Sequence, residues 1–459
     1  MCGSIKGLRL KIGSMYFKTC LRRFVGLINP DLAKSPAPVN IELCEQRLAF
    51  SAIPFADALH DFVLNHDLSV SDTIPDTHLV NDYALTPSDL PYLSSPSVAT
   101  YDQLVDVYAQ SSPAHLLTGL TSAQSNYGLN GAGQTIAIID TGIAYDHVAL
   151  GAGYGSGHRV VGGYDFAEND SNPYDDAPAG YHGTAVAGVV GGTATGVAPG
   201  VDLVALRVFD DYRRGNLQYV ESALRWVHDN RNSFENPITI VNMSLGVDFN
   251  TNMPPESVAI LEDELQVLRN DGILVVVSAG NAFAKYQSEG LAYPASSSLV
   301  LPVSSVDSNG QLSDFSQRNQ NAIAAPGRNI SSTVPDYMLG SDGRADDYTS
   351  VSGTSFSAPY VAGASALIRE AYEIIGVSNV SIDAIEQTLF GTADRIYDAV
   401  TNAFYSRLNI QNALDTILPD DTVGDSPLAA LTINHGAVAT GSFNGFVDDL
   451  GDKDVYHWI

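Results

Sequence analysis

The 459-residue chain is poor in cysteine, in tryptophan and in positive charge. Its three cysteines, Cys2, Cys20 and Cys44, all precede residue 50, and they are odd in number with no metal-ligand spacing. That excludes a disulfide framework and a thiolate zinc centre for the rest of the chain. Lys and Arg total 23 against 52 Asp and Glu, a net charge of −29. A nucleic-acid binder needs a basic face for phosphate, so nucleic acid is excluded as a partner. No run approaches the about 20 apolar residues of a membrane-crossing helix, and no transmembrane segment is expected. There is no internal repeat.

The chain is 45% apolar with 40 glycines, enough for a large core, and its length implies two or three parts. The acidity reads first as an adjustment to the surrounding medium, with cation binding as the alternative. It is uneven. Residues 1–34 carry seven basic side chains (Lys6, Arg9, Lys11, Lys18, Arg22, Arg23, Lys34) against Asp31 alone, so the remaining chain carries −35. A basic head on an acidic body suggests a targeting segment. Its best apolar stretch, Leu21 to Ile28, is broken by Arg22 and Arg23, so a standard signal peptide is not supported.

From 113 onward, apolar strand-like runs at 135–139, 203–209, 239–245 and 273–278 alternate with helical patterns. Leu217, Val220, Leu224 and Val227 recur at helical spacing, as do Val258, Leu261, Leu265 and Leu268. This predicts an α/β fold: three layers, with a mostly parallel central sheet covered by helices on both faces. In such sheets a site forms at the carboxyl ends of the strands.

Four stretches carry chemistry. Residues 135–142, Thr-Ile-Ala-Ile-Ile-Asp-Thr-Gly, are an apolar strand ending in Asp140. Residues 181–192, Tyr-His-Gly-Thr-Ala-Val-Ala-Gly-Val-Val-Gly-Gly, open a helix of small residues with His182. Residues 275–281, Val-Val-Val-Ser-Ala-Gly-Asn, end in Asn281. Residues 352–363, Ser-Gly-Thr-Ser-Phe-Ser-Ala-Pro-Tyr-Val-Ala-Gly, put Ser355 at a helix start. A serine there offers a hydroxyl and an outward N–H at one residue. Each stretch alone has a plain reading as a cap, turn or surface group. Asp140 in Asp-Thr-Gly also fits half of an aspartic-protease dyad, but that needs a second copy or a homodimer, and the chain has no second Asp-[Ser/Thr]-Gly.

Together, in the order Asp140, His182, Ser355, with Asn281 between, the four motifs resemble those of the subtilisin-like (subtilase) serine endopeptidases. The likeness covers roughly 113–418. It implies Ser355 as nucleophile, His182 as general base, Asp140 as its orienting partner, and Asn281 with the Ser355 N–H as oxyanion donors. The sedolisins, which share the fold, use a glutamate where this chain has His182 and an aspartate where it has Asn281. Activity rising with a histidine-like pKa near 6.5 is therefore expected. The resemblance also implies that substrate docks as an added strand along Ser244, Leu245 and Gly246. Ala279, Gly280 and Ala292 would wall the S1 pocket, with a cis bond at Tyr293–Pro294. Ala292, where many members have Gly, predicts a shallower S1 taking apolar or medium side chains rather than Lys or Arg. The segment Asp211–Gly215 is expected to shape S2–S4.

No cofactor is required, and no residues are assigned to a metal. The loop that holds a tight calcium ion in many secreted members is missing between Ala194 and Val197. Ala149 stands where they place a liganding aspartate, so that site is expected to be absent. Calcium elsewhere is left open, because Asp170, Asp175 and Asp176 crowd the approach to His182.

The expected organisation is 1–52 basic targeting or export segment, 53–112 propeptide or linker, 113–418 catalytic domain, and 419–459 linker plus the first strands of a truncated β-sandwich. The chain would then be cut short or a fragment. Residues 42–52, Glu-Leu-Cys-Glu-Gln-Arg-Leu-Ala-Phe-Ser-Ala, resemble a short element near the start of many large secreted bacterial surface proteins. A secreted or cell-surface location is therefore expected, with protein or peptide substrates and a monomeric state. A self-processing module of a larger surface protein and a silent peptide-binding pseudoprotease are the alternatives.

Overall fold

The computed structural model describes residues 112–178, 180–339 and 342–418, together with three short strands at His78–Leu79, Leu431–Ile433 and Tyr456–Trp458. The expectations for 1–52, for 53–112 and for most of 419–459 lie outside the described residues. In the last of these segments, Leu431–Ile433 and Tyr456–Trp458 pair in parallel.

Strands β1 (Thr135–Asp140), β2 (Val160–Asp165), β3 (Asp202–Arg207), β4 (Ile238–Met243), β5 (Leu274–Ser278), β6 (Leu301–Val306), β7 (Ile323–Pro326), β8 (Asp394–Asp398) and β9 (Ala403–Arg407) form one nine-stranded sheet. Its order is β8-β9-β7-β6-β5-β4-β1-β3-β2. Every pairing in it is parallel except β8 with β9, an antiparallel hairpin at one edge. The expected mostly parallel sheet is present.

The layers arise from the period of two along each strand. Ile136 and Ile138 of β1, Leu203 and Ala205 of β3 and Leu274 and Val276 of β5 enter one core. In it they meet helices α1 (Leu120–Tyr127), α2 (His182–Gly191), α5 (Thr354–Ile374), α6 (Ile382–Gly391) and α7 (Ile410–Ile417). Ala137 and Ile139, Val204 and Leu206, and Val275 and Val277 enter the other. There they meet α3 (Leu217–Asn230) and α4 (Glu262–Asn270). Strands buried on both faces read as continuous apolar runs, which is why four of them are visible in the sequence.

Helix α3 buries Leu217, Val220, Leu224 and Val227, the predicted stripe. Helix α4 corrects the second prediction: it begins at Glu262, after Val258 and Leu261. Those two are buried, but the Val258 N–H closes a turn on the Pro255 carbonyl, and the Leu261 N–H is taken by the Tyr293 hydroxyl at 3.1 Å. No helix among the described residues is long and apolar enough to cross a membrane.

Candidate active site

Because β5, β4 and β1 are adjacent and parallel, the chain leaves all three at the same end of the sheet. Asp140 is the last residue of β1, Ser244 comes directly after β4, and Asn281 lies just past the end of β5. Helices α2 and α5 begin at this end with His182 and with Thr354-Ser355.

The start of α2 is seated directly on the turn after β1. A Cβ at Gly183 would lie 2.1 Å from the Gly142 carbonyl, so only glycine permits the approach. The Gly183 N–H donates to the Thr141 hydroxyl at 2.8 Å. This docking puts the His182 ring on Asp140. The Nδ1–H donates to the Asp140 carboxylate at 2.8 Å, with both side chains buried. The same carboxylate oxygen accepts from the Thr141 N–H at 2.7 Å. Burial alone would lower the imidazole pKa, but the Asp140 charge and hydrogen bond, with Asp175 adding, outweigh it and hold the pKa above the ordinary value. A carboxylate at Nδ1 fixes the tautomer that presents Nε2 as a proton acceptor.

Helix α5 starts from Gly353, whose φ of 149° is costly for any residue with a Cβ. Ser355 sits in the first turn, where a backbone N–H has no intrahelical acceptor. The Phe356 ring packs against the His182 ring, 5.2 Å between centroids, which ties α5 to α2 beside Ser355. Pro359 lies four residues after Ser355 and has no N–H for the Ser355 carbonyl. The Ser244 hydroxyl takes that place, donating to the carbonyl at 2.6 Å while accepting from the Asn242 amide at 3.0 Å. The family resemblance sets Ser244 along the substrate edge; its side chain is turned inward, onto the backbone of Ser355.

Asn281 is oriented by the residue before Ser355. Its Oδ1 accepts from both the N–H and the hydroxyl of Thr354, each at 3.0 Å. The amide NH₂ is thereby turned the other way, and its nitrogen is buried without a protein partner. The Ser355 hydroxyl and His182 Nε2 are likewise buried and unpartnered. One acceptor, one hydroxyl and one amide donor are thus left over where α2, α5 and the β5 loop meet.

The expected substrate walls are adjacent. The Ala292 N–H donates to the Ala279 carbonyl at 2.9 Å, and the Gly280 N–H to the Thr354 hydroxyl at 3.2 Å. Residues 247–251 pair with Leu291–Tyr293, which carries the chain after Gly246 past Ala292. The Leu245 side chain is wholly in the core, so only its backbone can meet a ligand. The Tyr293–Pro294 bond is cis.

The acids near His182 have other tasks. Asp170 accepts the Asn172 N–H at 2.8 Å. Asp175 faces inward, accepting from the N–H (2.9 Å) and hydroxyl (2.6 Å) of Thr184, and burial pushes its carboxyl up to about 6. Burial is also the first cause raising the Asp176 carboxyl, with the Arg207 charge opposing it. At Ala149 the carbonyl is met by a cation of the chain itself. The Arg159 guanidinium donates to it at 3.3 Å and to the Val201 carbonyl at 3.1 Å. Among the described residues no group of three His, Cys, Asp or Glu side chains could hold a metal ion.

Thr354, Phe356 and Thr184 escape sequence reasoning as members of this site. The Thr of Gly-Thr-Ser and of His-Gly-Thr are visible in their motifs, but their partners are far away in the chain.

Known proteins resemble this one over the same region. Residues 131–416, well over half the chain, match the subtilase family. Subtilisin DY of Bacillus licheniformis is 32% identical over 276 residues, covering 59% of this chain and 88% of its own. A thermophilic serine proteinase of Bacillus sp. (strain AK1) is 34% identical over 291 residues, covering 62% of this chain. This chain spans less than two thirds of that relative's length, 62%. A solved structure, of a cold adapted subtilisin-like serine proteinase, aligns at 28% identity with a TM-score of 0.49, covering 62% of this chain and 91% of its own.

Proposed function

The chain belongs to the subtilase family of serine-type endopeptidases, and on that premise we propose that it cleaves peptide bonds through an acyl-enzyme on Ser355. In this reading His182 takes the Ser355 proton at Nε2 as the hydroxyl attacks the scissile carbonyl, then gives it to the leaving amine. Asp140 keeps the ring in its tautomer and stabilises the imidazolium. The carbonyl oxygen, as it becomes an oxyanion, is received by the Asn281 amide and the Ser355 N–H. Water then attacks the ester by the reverse proton path and frees the acid.

The observation that carries the reading is the set of three unpartnered buried atoms, His182 Nε2, Ser355 Oγ and Asn281 Nδ2. Unsatisfied buried polar atoms cost about 1–3 kcal/mol each, and these three belong to the elements that converge at one end of the sheet. The base, the nucleophile and the oxyanion donor are the three groups the reaction needs. Asp140 and His182 are also hydrogen-bonded in the geometry that activates a base, which a binding module has no use for.

Substrates are protein or peptide chains docked as a strand at 244–246, with apolar or medium P1 side chains against Ala279, Gly280 and Ala292. A monomer acting in a secreted or cell-surface setting completes the reading. The test is hydrolysis of an unrelated unfolded protein by the parent chain and by Ser355→Ala. Cleavage by the parent alone supports a general endopeptidase. Cleavage confined to its own chain supports the self-processing alternative. No cleavage of either by a folded parent supports the pseudoprotease alternative.

A further inference from the structure

Close to the Asp140–His182 pair stands a third carboxylate that the proposed reaction does not use. Asp175 is wholly buried, in the segment that leads into α2. One of its oxygens accepts from both the N–H and the hydroxyl of Thr184. Thr184 is the third residue of α2, where an N–H has no intrahelical acceptor and the helix dipole favours a negative charge. With its proton committed to Asp175, the Thr184 oxygen is left to accept. It takes the Ala144 N–H at 2.9 Å, in the turn that follows Asp140. Asp175 thus holds the first turn of α2 to the turn after β1, and so holds His182 to Asp140. Its other oxygen has no hydrogen-bond partner among the described residues, and the backbone closes on it. A Cβ at Gly180 would lie 2.3 Å from that oxygen, so only glycine fits there. The Tyr337 hydroxyl donates to the Gly180 carbonyl and fixes this backbone.

The groups that face Asp175 include no cation but the imidazole. Asp140 opposes its charge, and the hydroxyls of Tyr174, Tyr181 and Tyr337 are all affected by it. At His182 the charges of Asp140 and Asp175 both favour the protonated ring. Arg213, whose guanidinium lies 5.3 Å from the centroid of the Tyr181 ring, opposes them. In the proposed reaction the imidazole becomes charged as it takes the Ser355 proton, and a fixed negative charge nearby favours that state.

We propose that Asp175 is a positioning residue for this reaction: it seats His182 against Asp140 through Thr184 and adds a second negative charge beside the imidazolium. The inference rests on the endopeptidase reading above and adds a residue to it.

The experiment follows kcat/KM between about pH 5 and 9 for a fluorogenic peptide with an apolar P1. It compares the parent with Asp175→Asn, Asp175→Ser and Asp175→Glu, each first shown to be folded by circular dichroism. Asn keeps an acceptor for Thr184 and removes the charge; Ser also removes it, with less bulk; Glu keeps it. In the neutral variants the acid limb should move to lower pH, because the ring gives up its proton more easily without the second charge. On the plateau kcat should fall by about tenfold, with KM little changed. Asp175→Glu should keep the limb near that of the parent. The same downward move should appear in the NMR titration of the His182 ring on a Ser355→Ala background, a readout that needs no turnover. A limb and a ring titration that stay at the parent's pH in a folded neutral variant would overturn the inference and leave the endopeptidase reading standing. Loss of the fold in both neutral variants would make Asp175 a purely structural residue and overturn the inference. A folded parent that hydrolyses neither the peptide nor unfolded protein would overturn the endopeptidase reading and the inference with it.

Discussion

Two buried groups far from each other in sequence should pull stability in opposite directions as pH changes. His115 is buried, edge-on to the Tyr360 ring at 5.9 Å, and burial lowers its pKa to about 4. Unfolded, it returns to about 6.5. Between these values the unfolded chain binds the extra proton, so His115 makes stability rise with pH. Its contribution is full above pH 6.5 and is lost as pH falls towards 4. At about 1.4 kcal/mol per pKa unit the whole effect is about 3 kcal/mol. Asp175 does the reverse. Burial raises it to about 6, against an ordinary value of about 3.8. Between those values the folded chain holds the extra proton, so Asp175 makes stability fall as pH rises, again by about 3 kcal/mol. The two slopes overlap and nearly cancel in the parent. Each should appear when the other is removed. The assay is urea unfolding between pH 4 and 7, on a Ser355→Ala background so that self-digestion plays no part. His115→Phe should lose stability with rising pH relative to the parent, and Asp175→Asn should gain it. The change of slope is the readout, so a constant cost of either substitution does not matter. Slopes that match the parent in both variants would show that neither group titrates as its burial requires.

Four further outcomes rest on the same geometry. Ser244→Ala should cost about 1–3 kcal/mol in stability, because it leaves the Ser355 carbonyl buried without a donor; thermal melts check this, and a neutral result would show that the carbonyl finds another partner. Thr354→Val should lower kcat with little change in KM, because it removes one of the two donors that aim the Asn281 amide. Its ceiling is the loss of about 10²–10³ in kcat measured when the oxyanion amide of a subtilisin is removed. The pH profile of kcat/KM should rise with an apparent pKa above the ordinary histidine value, since Asp140 outweighs burial at His182; an optimum below pH 4 would contradict the base assignment. Arg159→Met should lower the Tm by more than a chelator lowers that of the parent, since the guanidinium meets the Ala149 and Val201 carbonyls; the reverse ranking would point to a bound metal ion as the main support.

Much of the fold is legible in the linear chain, for a physical reason. Strands β1, β3, β4 and β5 lie inside a parallel sheet and are apolar on both faces, so they stand out within a residue or two of their bounds. Strand β2 (Val-Val-Gly-Gly-Tyr-Asp) is an edge strand weakened by two glycines. Strand β7 (Ile-Ala-Ala-Pro) is short, and the β8–β9 hairpin is charged, so none of them carries a strong pattern. The start of α4 is misplaced from sequence because Val258 and Leu261 are buried at helical spacing without being helical. At the site, Asp140, His182, Asn281 and Ser355 each sit in a local motif, and position is what a motif encodes. The long-range pairings are not local: Ser244 with the Ser355 carbonyl, Thr354 with Asn281, and Arg213 with Tyr181. Each depends on which loops the sheet order brings together.

The proposed activity requires Ser355 to be an activated nucleophile. Intact-mass analysis after treatment with a serine-directed fluorophosphonate, completed by peptide mapping, tests this without any assumption about substrate. One adduct is expected, on Ser355, absent in Ser355→Ala and formed far more slowly in His182→Ala. A folded chain that takes up no adduct, or takes it up at another serine, would mean that Ser355 is not the nucleophile.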